Sequence, residues 1–568
     1  MLKGIGVSKG YGIGRVVVAT DSDLTYSKKT DCNAETEKER FDKALTTFIE
    51  KNTRLADKVR ESVGEKESEI ITGHIVMLQD PYMCSEIENK INSGICVESA
   101  VDEVCETFIT MFSSVEDELV RQRAADIKDI RDEMLSILLG RQTVDISELN
   151  KGTVLVTKEL TPSMTACIKR ENVVGIITEI GSQTSHAAIL ARAMEIPAVL
   201  GVQDAVKTLK DNELVIVNGI NGAIIENPTA EENAVYMKKR IDYIADRGAL
   251  NRFIGLPTTT KDGIRVDLFG NIGTPEDAEK VLEYDGEGIG LFRTEFLFMD
   301  RYSSPDESEQ FEAYKKVLLA MNGRQVIIRT LDIGGDKEVP YMNLSKEDNP
   351  FLGFRAIRYC LKNTQLFETQ LRALIMASHY GNLAVMIPLV TGVDELRKVK
   401  KAVKKIMESF DEKSIPYDRN LKVGVMIETP AAAISADLLA KEADFFSIGT
   451  NDLTGYTLAV DRGNPNVAYL YSPFAPSVLR MIKNIVIEAK KAGIPVGMCG
   501  EAAADPLLIP LLLSFGLDEF SVSATSVLSV RREISRWTKT EANKIAEKVM
   551  SLDTVGGVTA ELQKYVTR

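Results

Sequence analysis

The sequence predicts an α/β chain in two parts, an α/β domain interrupted by an inserted helical bundle and then a C-terminal TIM (β/α)8 barrel. Three observations predict it. Eight short β-prone runs alternate with helical stretches over the last ~300 residues, the alternation a barrel requires. Ahead of them, residues 33 to about 139 are rich in charge, hold Pro81 as their one proline, and repeat apolar residues at helical spacing, as in Phe41, Leu45, Phe48 and Ile49. β-prone runs lie on both sides of that block, and the simplest account joins them in one sheet, making the helices an insertion.

Bulk composition sets the limits. A chain of 568 residues, 44% of them hydrophobic, buries a sizeable core and should divide into three or four domains. Its 69 Lys and Arg against 83 Asp and Glu leave a formal charge of -14, which argues against a nucleic-acid partner and suits a basic protein partner. Seven cysteines without CxxC or CxxxC spacing argue against a disulfide framework and a structural zinc site, so a reducing cytoplasm is expected. Residues 1–6 lack an apolar signal core, and no run of about 18 uncharged apolar residues occurs, so neither export nor membrane insertion is expected.

The elements follow in order. Residues 4–19 are glycine-rich with Val16, Val17 and Val18. The glycines from Gly10 to Gly14 do not make a dinucleotide loop, because their spacing is wrong and the β run follows them; turns around a first strand are expected. For the helical block, the residues alone favour a plain bundle with solvated charged faces over a docking surface. Strands are then expected at 153–156, 173–177, 213–217 and 223–225, and a linking helix from 229 to about 249. The barrel runs are 265–269, 288–292, 325–329, 384–388, 423–427, 445–448, 495–498 and 519–522.

Active sites of such barrels lie at the C-terminal ends of the strands, so the residues just past each run carry the chemistry. Arg293 and Thr294 follow the second run, Arg329 closes the third, and Glu428 follows the fifth. Asn451 and Asp452 follow the sixth; Cys499 and Glu501 follow the seventh. Singly, each is an ordinary surface residue or ion-pair partner. Together they point to an anionic, phosphorylated substrate and a divalent metal. Arg293, Arg329 and Arg462 offer planar forks for phosphate or carboxylate. Glu428 and Asp452 suit Mg²⁺, with substrate oxygens and water completing the octahedron. A cysteine is by default an inert core thiol, but the placement of Cys499 near arginines points to acid/base work, with a thiol that exchanges its proton at neutral pH.

A second centre lies directly after the run at 173–177. Residues 187–195 read as helical, which puts His186 in the first turn, capped by Thr184 or Ser185. Free amides and the helix dipole there stabilise a dianionic phosphoryl group on the imidazole. The chain has three histidines, His74, His186 and His379, and His186 alone has this setting.

Over nearly its whole length the sequence resembles the phosphoenolpyruvate-utilising family. The run Gly181-Ser-Gln-Thr-Ser-His186 is similar to that family's phosphohistidine signature, with Ser182 where a second glycine is usual and Gln183 where arginine is common. The barrel carries Gly290-Leu-Phe-Arg-Thr-Glu295, Arg329-Thr-Leu-Asp-Ile-Gly-Gly-Asp-Lys337, Asn349-Pro-Phe-Leu-Gly-Phe-Arg355, Glu428-Thr-Pro430, Gly449-Thr-Asn-Asp-Leu453 and Met498-Cys-Gly-Glu501. The resemblance implies that Arg293, Arg329, Arg355 and Arg462 bind phosphoenolpyruvate with Asn451 and Asp452, that Glu428 and Asp452 ligate Mg²⁺, and that Cys499 protonates the enolate. It implies phosphoryl transfer to His186 and on to the HPr carrier, with release of pyruvate, as a first step of sugar uptake. It also implies a swivelling phosphohistidine domain at 1–28 and 147–228, an HPr-binding helical insertion at 29–146, a linker helix at 229–256, and a barrel at 257–568 that forms a homodimer. A dikinase, which adds an ATP-binding domain, is the nearest alternative, and the stretch before Gly152 leaves no room for one. A scaffold that has lost catalysis is the other, and the intact Arg293, Glu428, Asp452 and Cys499 count against it.

Overall fold

The structure is a computed structural model that describes residues 2–19, 24–30, 32–62, 65–113, 118–141, 146–160, 162–181, 186–299, 301, 303–334, 339–342, 344, 347–461, 464 and 466–566. The chain divides into two compact units, Met1–Gly248 and Ala249–Arg568.

In the first unit, β1 (Leu2–Lys3), β2 (Ile5–Ser8), β3 (Tyr11–Ala19), β4 (Thr153–Thr157), β5 (Val173–Thr178), β6 (Ala198–Leu200), β7 (Leu214–Asn218) and β8 (Ala223–Glu226) form one sheet, in the order β1-β8-β7-β3-β4-β5-β6-β2. β3 and β4 pair directly and in parallel, from Arg15 opposite Thr153 to Ala19 opposite Thr157. Between these neighbours in space the chain makes α1 (Ala34–Ser62), α2 (Glu65–Leu78), α3 (Pro81–Asn92), α4 (Val97–Ser113) and α5 (Glu118–Leu138). The helices bury a core of their own around Phe41, Phe48, Ile87, Val101 and Ile130. Strand alternation serves two further cores: Leu155 packs with Ile176 and Ala188 on one face of the sheet, while Val154 and Val156 pack with Val16 and Val217 on the other.

Of the opening glycines, Gly10 forms the bend between β2 and β3, with φ of 136°, but the next two are not turn residues. Gly12 and Gly14 lie inside β3, where a Cβ would fall 2.2 Å from the Val174 carbonyl oxygen and 2.1 Å from that of Gly152. Close backbone approach, rather than a bend, explains them. The helix Ala230–Leu250 follows the sheet, with Tyr236 and Tyr243 edge-on to Tyr11 at 5.8 and 6.2 Å between ring centres.

In the second unit all eight expected runs become strands: β9 (Asp267–Ile272), β10 (Ile289–Arg293), β11 (Val326–Arg329), β12 (Leu383–Ile387), β13 (Lys422–Ile427), β14 (Phe446–Gly449), β15 (Val496–Cys499) and β16 (Glu519–Ser523). Each pairs with the next, and β16 closes on β9 in parallel, from Glu519 opposite Asp267 to Ser523 opposite Asn271. The outer helices bury one stripe each; in Val393–Glu412 it is Leu396, Val399, Val403, Ile406 and Phe410, spaced by three and four residues. Inside, Leu291, Ile327, Met386, Met426 and Phe445 fill the barrel. Among the described residues no helix is long and apolar enough to cross a membrane.

Glu519 is buried among these strands. Gly290 and Gly497 leave room for its carboxyl, since a Cβ on either would lie 2.2 or 2.8 Å from a Glu519 oxygen, and its Oε1 has no hydrogen-bond partner. Burial, followed by repulsion from Asp267 and Asp518, raises its pKa from 4.5 to about 8. The folded chain therefore keeps a proton that the unfolded chain releases, and its stability falls as pH rises through that window. Glu519→Gln is expected to flatten the dependence of Tm on pH between about 5 and 8. An equally steep fall in the variant would show that this carboxyl does not carry the effect.

Candidate active site at the barrel rim

Each candidate side chain stands where a parallel strand ends. Arg293 closes β10 and Arg329 closes β11, and the two are register partners. Glu428 follows β13, Asn451 and Asp452 lie in the first turn of the helix Thr450–Leu458 that follows β14, and Cys499 closes β15 opposite Gly449. Arg355 comes from the long loop after β11, at the start of the helix Ala356–Lys362. Asp452 is well placed at a helix N-terminus, whose dipole favours an anion.

Two arginines are buried and held by carboxylates. Arg329 Nη2 lies 2.7 Å from Glu295 Oε1 and 3.0 Å from Asp332 Oδ2. Arg355 Nη2 lies 2.9 Å from Asp332 Oδ1 and 3.3 Å from Asp452 Oδ2, and its Nη1 donates to the Tyr456 hydroxyl at 3.2 Å. Burial opposes both charges, yet both pKa values are raised: Glu295 and Asp332 prevail at Arg329, and Asp332 and Asp452 prevail at Arg355. Arg293 is exposed and stacks over the Phe296 ring, 4.8 Å from its centre. Arg329 Nε and Thr450 Oγ1 are buried without a hydrogen-bond partner, and such groups call for a ligand or water.

Glu428 is buried and accepts a hydrogen bond from the Leu389 amide at 2.7 Å. Burial and then the Asp452 charge push its pKa up to about 8, against the pull of Arg329. Glu428, whose charge is disfavoured in this setting, and Asp452 beside it offer hard oxygen donors that fit a divalent cation of the Mg²⁺ type. Among the described residues no cluster of three or more His, Cys, Asp or Glu is arranged for a metal, so such an ion would take its other oxygens from substrate and water.

Cys499 is buried, accepts a hydrogen bond from Ser447 Oγ at 3.2 Å, and has a pKa pushed up to about 12 by burial, which outweighs Ser447 and Arg329. The arginines do not bring it to neutral pH; the thiol keeps its proton. Asn451 is fixed by its carbonyl, which accepts from the Tyr471 hydroxyl at 3.1 Å.

In the first unit, His186 opens the helix His186–Ala193 after β5. Residues 182–185, with Thr184 and Ser185, and Arg462 lie outside the described residues, and the His186 side chain is not described either. The structure thus gathers Arg293, Arg329, Arg355, Glu428, Asp452 and Cys499 on the rim of one barrel. Sequence reasoning gave no role to Glu295, Asp332 or Tyr456. The first two stand within three residues of an arginine already singled out; Tyr456 carries no local signal.

Three sequence models of known families match the chain: PEP-utilising enzyme, N-terminal, over residues 3–123; PEP-utilising enzyme, mobile domain, over 149–222; and PEP-utilising enzyme, PEP-binding domain, over 248–539. Among curated relatives, the phosphoenolpyruvate-protein phosphotransferase of Bacillus subtilis (strain 168) is 45% identical over 560 residues, 98% of each chain. The protein of the same name from Listeria monocytogenes is 44% identical over 565 residues, 99% of each. That of Staphylococcus aureus (strain MRSA252) is 43% identical over 570 residues, 100% of this chain and 99% of its own.

Proposed function

The chain belongs to the PEP-utilising enzyme family, and from that premise we propose that it is a phosphotransferase that moves the phosphoryl group of phosphoenolpyruvate to His186 and then to the HPr carrier, releasing pyruvate. The observation that carries this reading is the gathering of buried, carboxylate-held arginines, a carboxylate pair and a protonated thiol on one barrel rim. The domains are read as 1–28 with 147–228 for the phosphohistidine, 29–146 for HPr, 229–256 as linker and 257–568 as barrel. A homodimer through the barrel and a cytoplasmic location complete the proposal.

The mechanism follows from charge. Arg293, Arg329, Arg355 and Arg462 take the phosphate and carboxylate of the substrate, with Asn451 and Asp452 at the helix N-terminus. As the phosphoryl group leaves, the bridging P–O bond breaks, a P–N bond forms to a ring nitrogen of His186, and the arginines balance the charge that passes to the enolate. Glu428 and Asp452 would hold Mg²⁺, which supplies further neutralisation of the substrate's negative charge when bound. A thiol with a pKa of about 12 is still protonated at neutral pH. Cys499 therefore serves as the acid that delivers a proton to the enolate carbon, giving pyruvate.

The test is incubation of the chain with labelled phosphoenolpyruvate and Mg²⁺, without nucleotide. Acid-labile, base-stable label on the protein, lost in His186→Ala, is expected; a requirement for nucleotide would overturn the reading in favour of a dikinase. Cys499→Ala is expected to slow pyruvate formation by roughly 10² to 10⁴ while substrate binding persists. Parental rates in that variant would return Cys499 to a packing role.

A further inference from the structure

Arg355 reaches the rim on a loop, so something must hold it there. Three side chains do. Asp332 takes its Nε and Nη2, at 3.3 and 2.9 Å, and Asp452 also takes Nη2, at 3.3 Å. Tyr456 accepts from Nη1 at 3.2 Å and donates its own hydroxyl proton to the Phe351 carbonyl. The ring of Phe351 in turn lies under the Arg355 guanidinium, 5.9 Å away. Tyr456 stands one turn after Asp452 on the helix Thr450–Leu458, so the two lie on one face of that helix.

Two features set Tyr456 apart from the carboxylates. It is uncharged, so it fixes the guanidinium without adding to the negative charge that Asp332 and Asp452 already place on it. It also ties the loop after β11 to the helix after β14, across 101 and 105 residues of sequence. The tie is needed, because Ala356, directly after Arg355, has φ of 50°, a left-handed backbone that a residue with a Cβ adopts at a cost and keeps through tertiary contacts.

We infer that Tyr456 is a positioning residue for the substrate: its hydroxyl, bridging Arg355 and Phe351, sets the place and plane of the arginine that receives one acidic group of the phosphorylated acid. The inference rests on the reading of Arg355 as a substrate clamp. Tyr456→Phe removes the bridge and keeps the ring and its packing.

The experiment compares steady-state kinetics of pyruvate formation in the full chain for the parent, Tyr456→Phe, Arg355→Ala and the double variant, with Mn²⁺ binding measured on each. Tyr456→Phe is expected to raise KM for phosphoenolpyruvate roughly tenfold, with kcat changed less than about twofold. Mn²⁺ binding should hold, because Glu428 and Asp452 remain. In the Arg355→Ala background the tyrosine change is expected to add nothing, since its effect passes through that arginine. A parental KM in Tyr456→Phe, an equal rise in the Arg355→Ala background, or a parallel loss of Mn²⁺ binding would each overturn the inference. A parental KM in Arg355→Ala instead overturns the clamp reading beneath it.

Discussion

Replacing Glu428 and Asp452 together by alanine is expected to abolish phosphorylation of the chain by phosphoenolpyruvate, and chelation of divalent metal is expected to do the same to the parent. The two carboxylates are each held in place. The Leu389 amide fixes Glu428 at 2.7 Å, and Arg355 fixes Asp452 at 3.3 Å. Burial and the Asp452 charge keep the Glu428 pKa near 8, so the pair stands under an electrostatic burden that a cation relieves. Without the cation the substrate's phosphate and carboxylate face the arginines with their charge only partly balanced, and a loss of several kcal/mol of stabilisation takes transfer below detection. Glu428→Gln keeps the volume and an acceptor for Leu389 while removing the charge, so it is expected to fold with a Tm at least equal to the parent's and still fail to react. Incorporation of labelled phosphate measures both. Undiminished labelling in EDTA would sink the metal assignment.

The barrel was legible because its strands bury both faces and so read as short apolar runs, and because the helices between them carry stripes such as Leu396 to Phe410. β1, β2 and β6 were not singled out: β1 and β6 have two and three residues, and β2, Ile5–Ser8, sets two apolar side chains beside a glycine and a serine. Gly12 and Gly14 look like turn residues until their neighbours are known; only the passing backbones of Gly152 and Val174 explain them. At the rim, Arg293, Arg329, Glu428 and Asp452 followed from their position after each run, whereas Arg355, far along the loop beyond β11, came from the resemblance alone. Their pairing followed from neither. Asp332 bridges Arg329 and Arg355, and Tyr456 reaches Arg355 across 101 residues, contacts that no local pattern encodes. The protonated state of Cys499 was also out of reach, because it depends on how fully the thiol is buried, and burial outweighs the arginine nearby.

The division between Gly248 and Ala249 leads to the second large effect. A fragment of residues 1–248 contains the sheet, the five helices and His186, with cores of its own around Leu155, Val156 and Phe41, and it is expected to fold alone. It holds none of Arg293, Arg329, Arg355, Glu428, Asp452 or Cys499. The fragment is therefore expected to take no phosphate from phosphoenolpyruvate, yet to exchange phosphate with phosphorylated HPr, a reaction that needs the histidine and a docking surface alone. His186→Ala is expected to reduce that exchange to background. His74→Ala is not, because His74 is buried in α2 with its ring nitrogen 3.5 Å from Asp126 Oδ1, a packing position inside the helical insertion. Transfer of label between purified, folded fragment and phosphorylated HPr measures each case. Labelling of the fragment by phosphoenolpyruvate, or exchange that survives His186→Ala, would place the phosphoryl chemistry elsewhere in the chain.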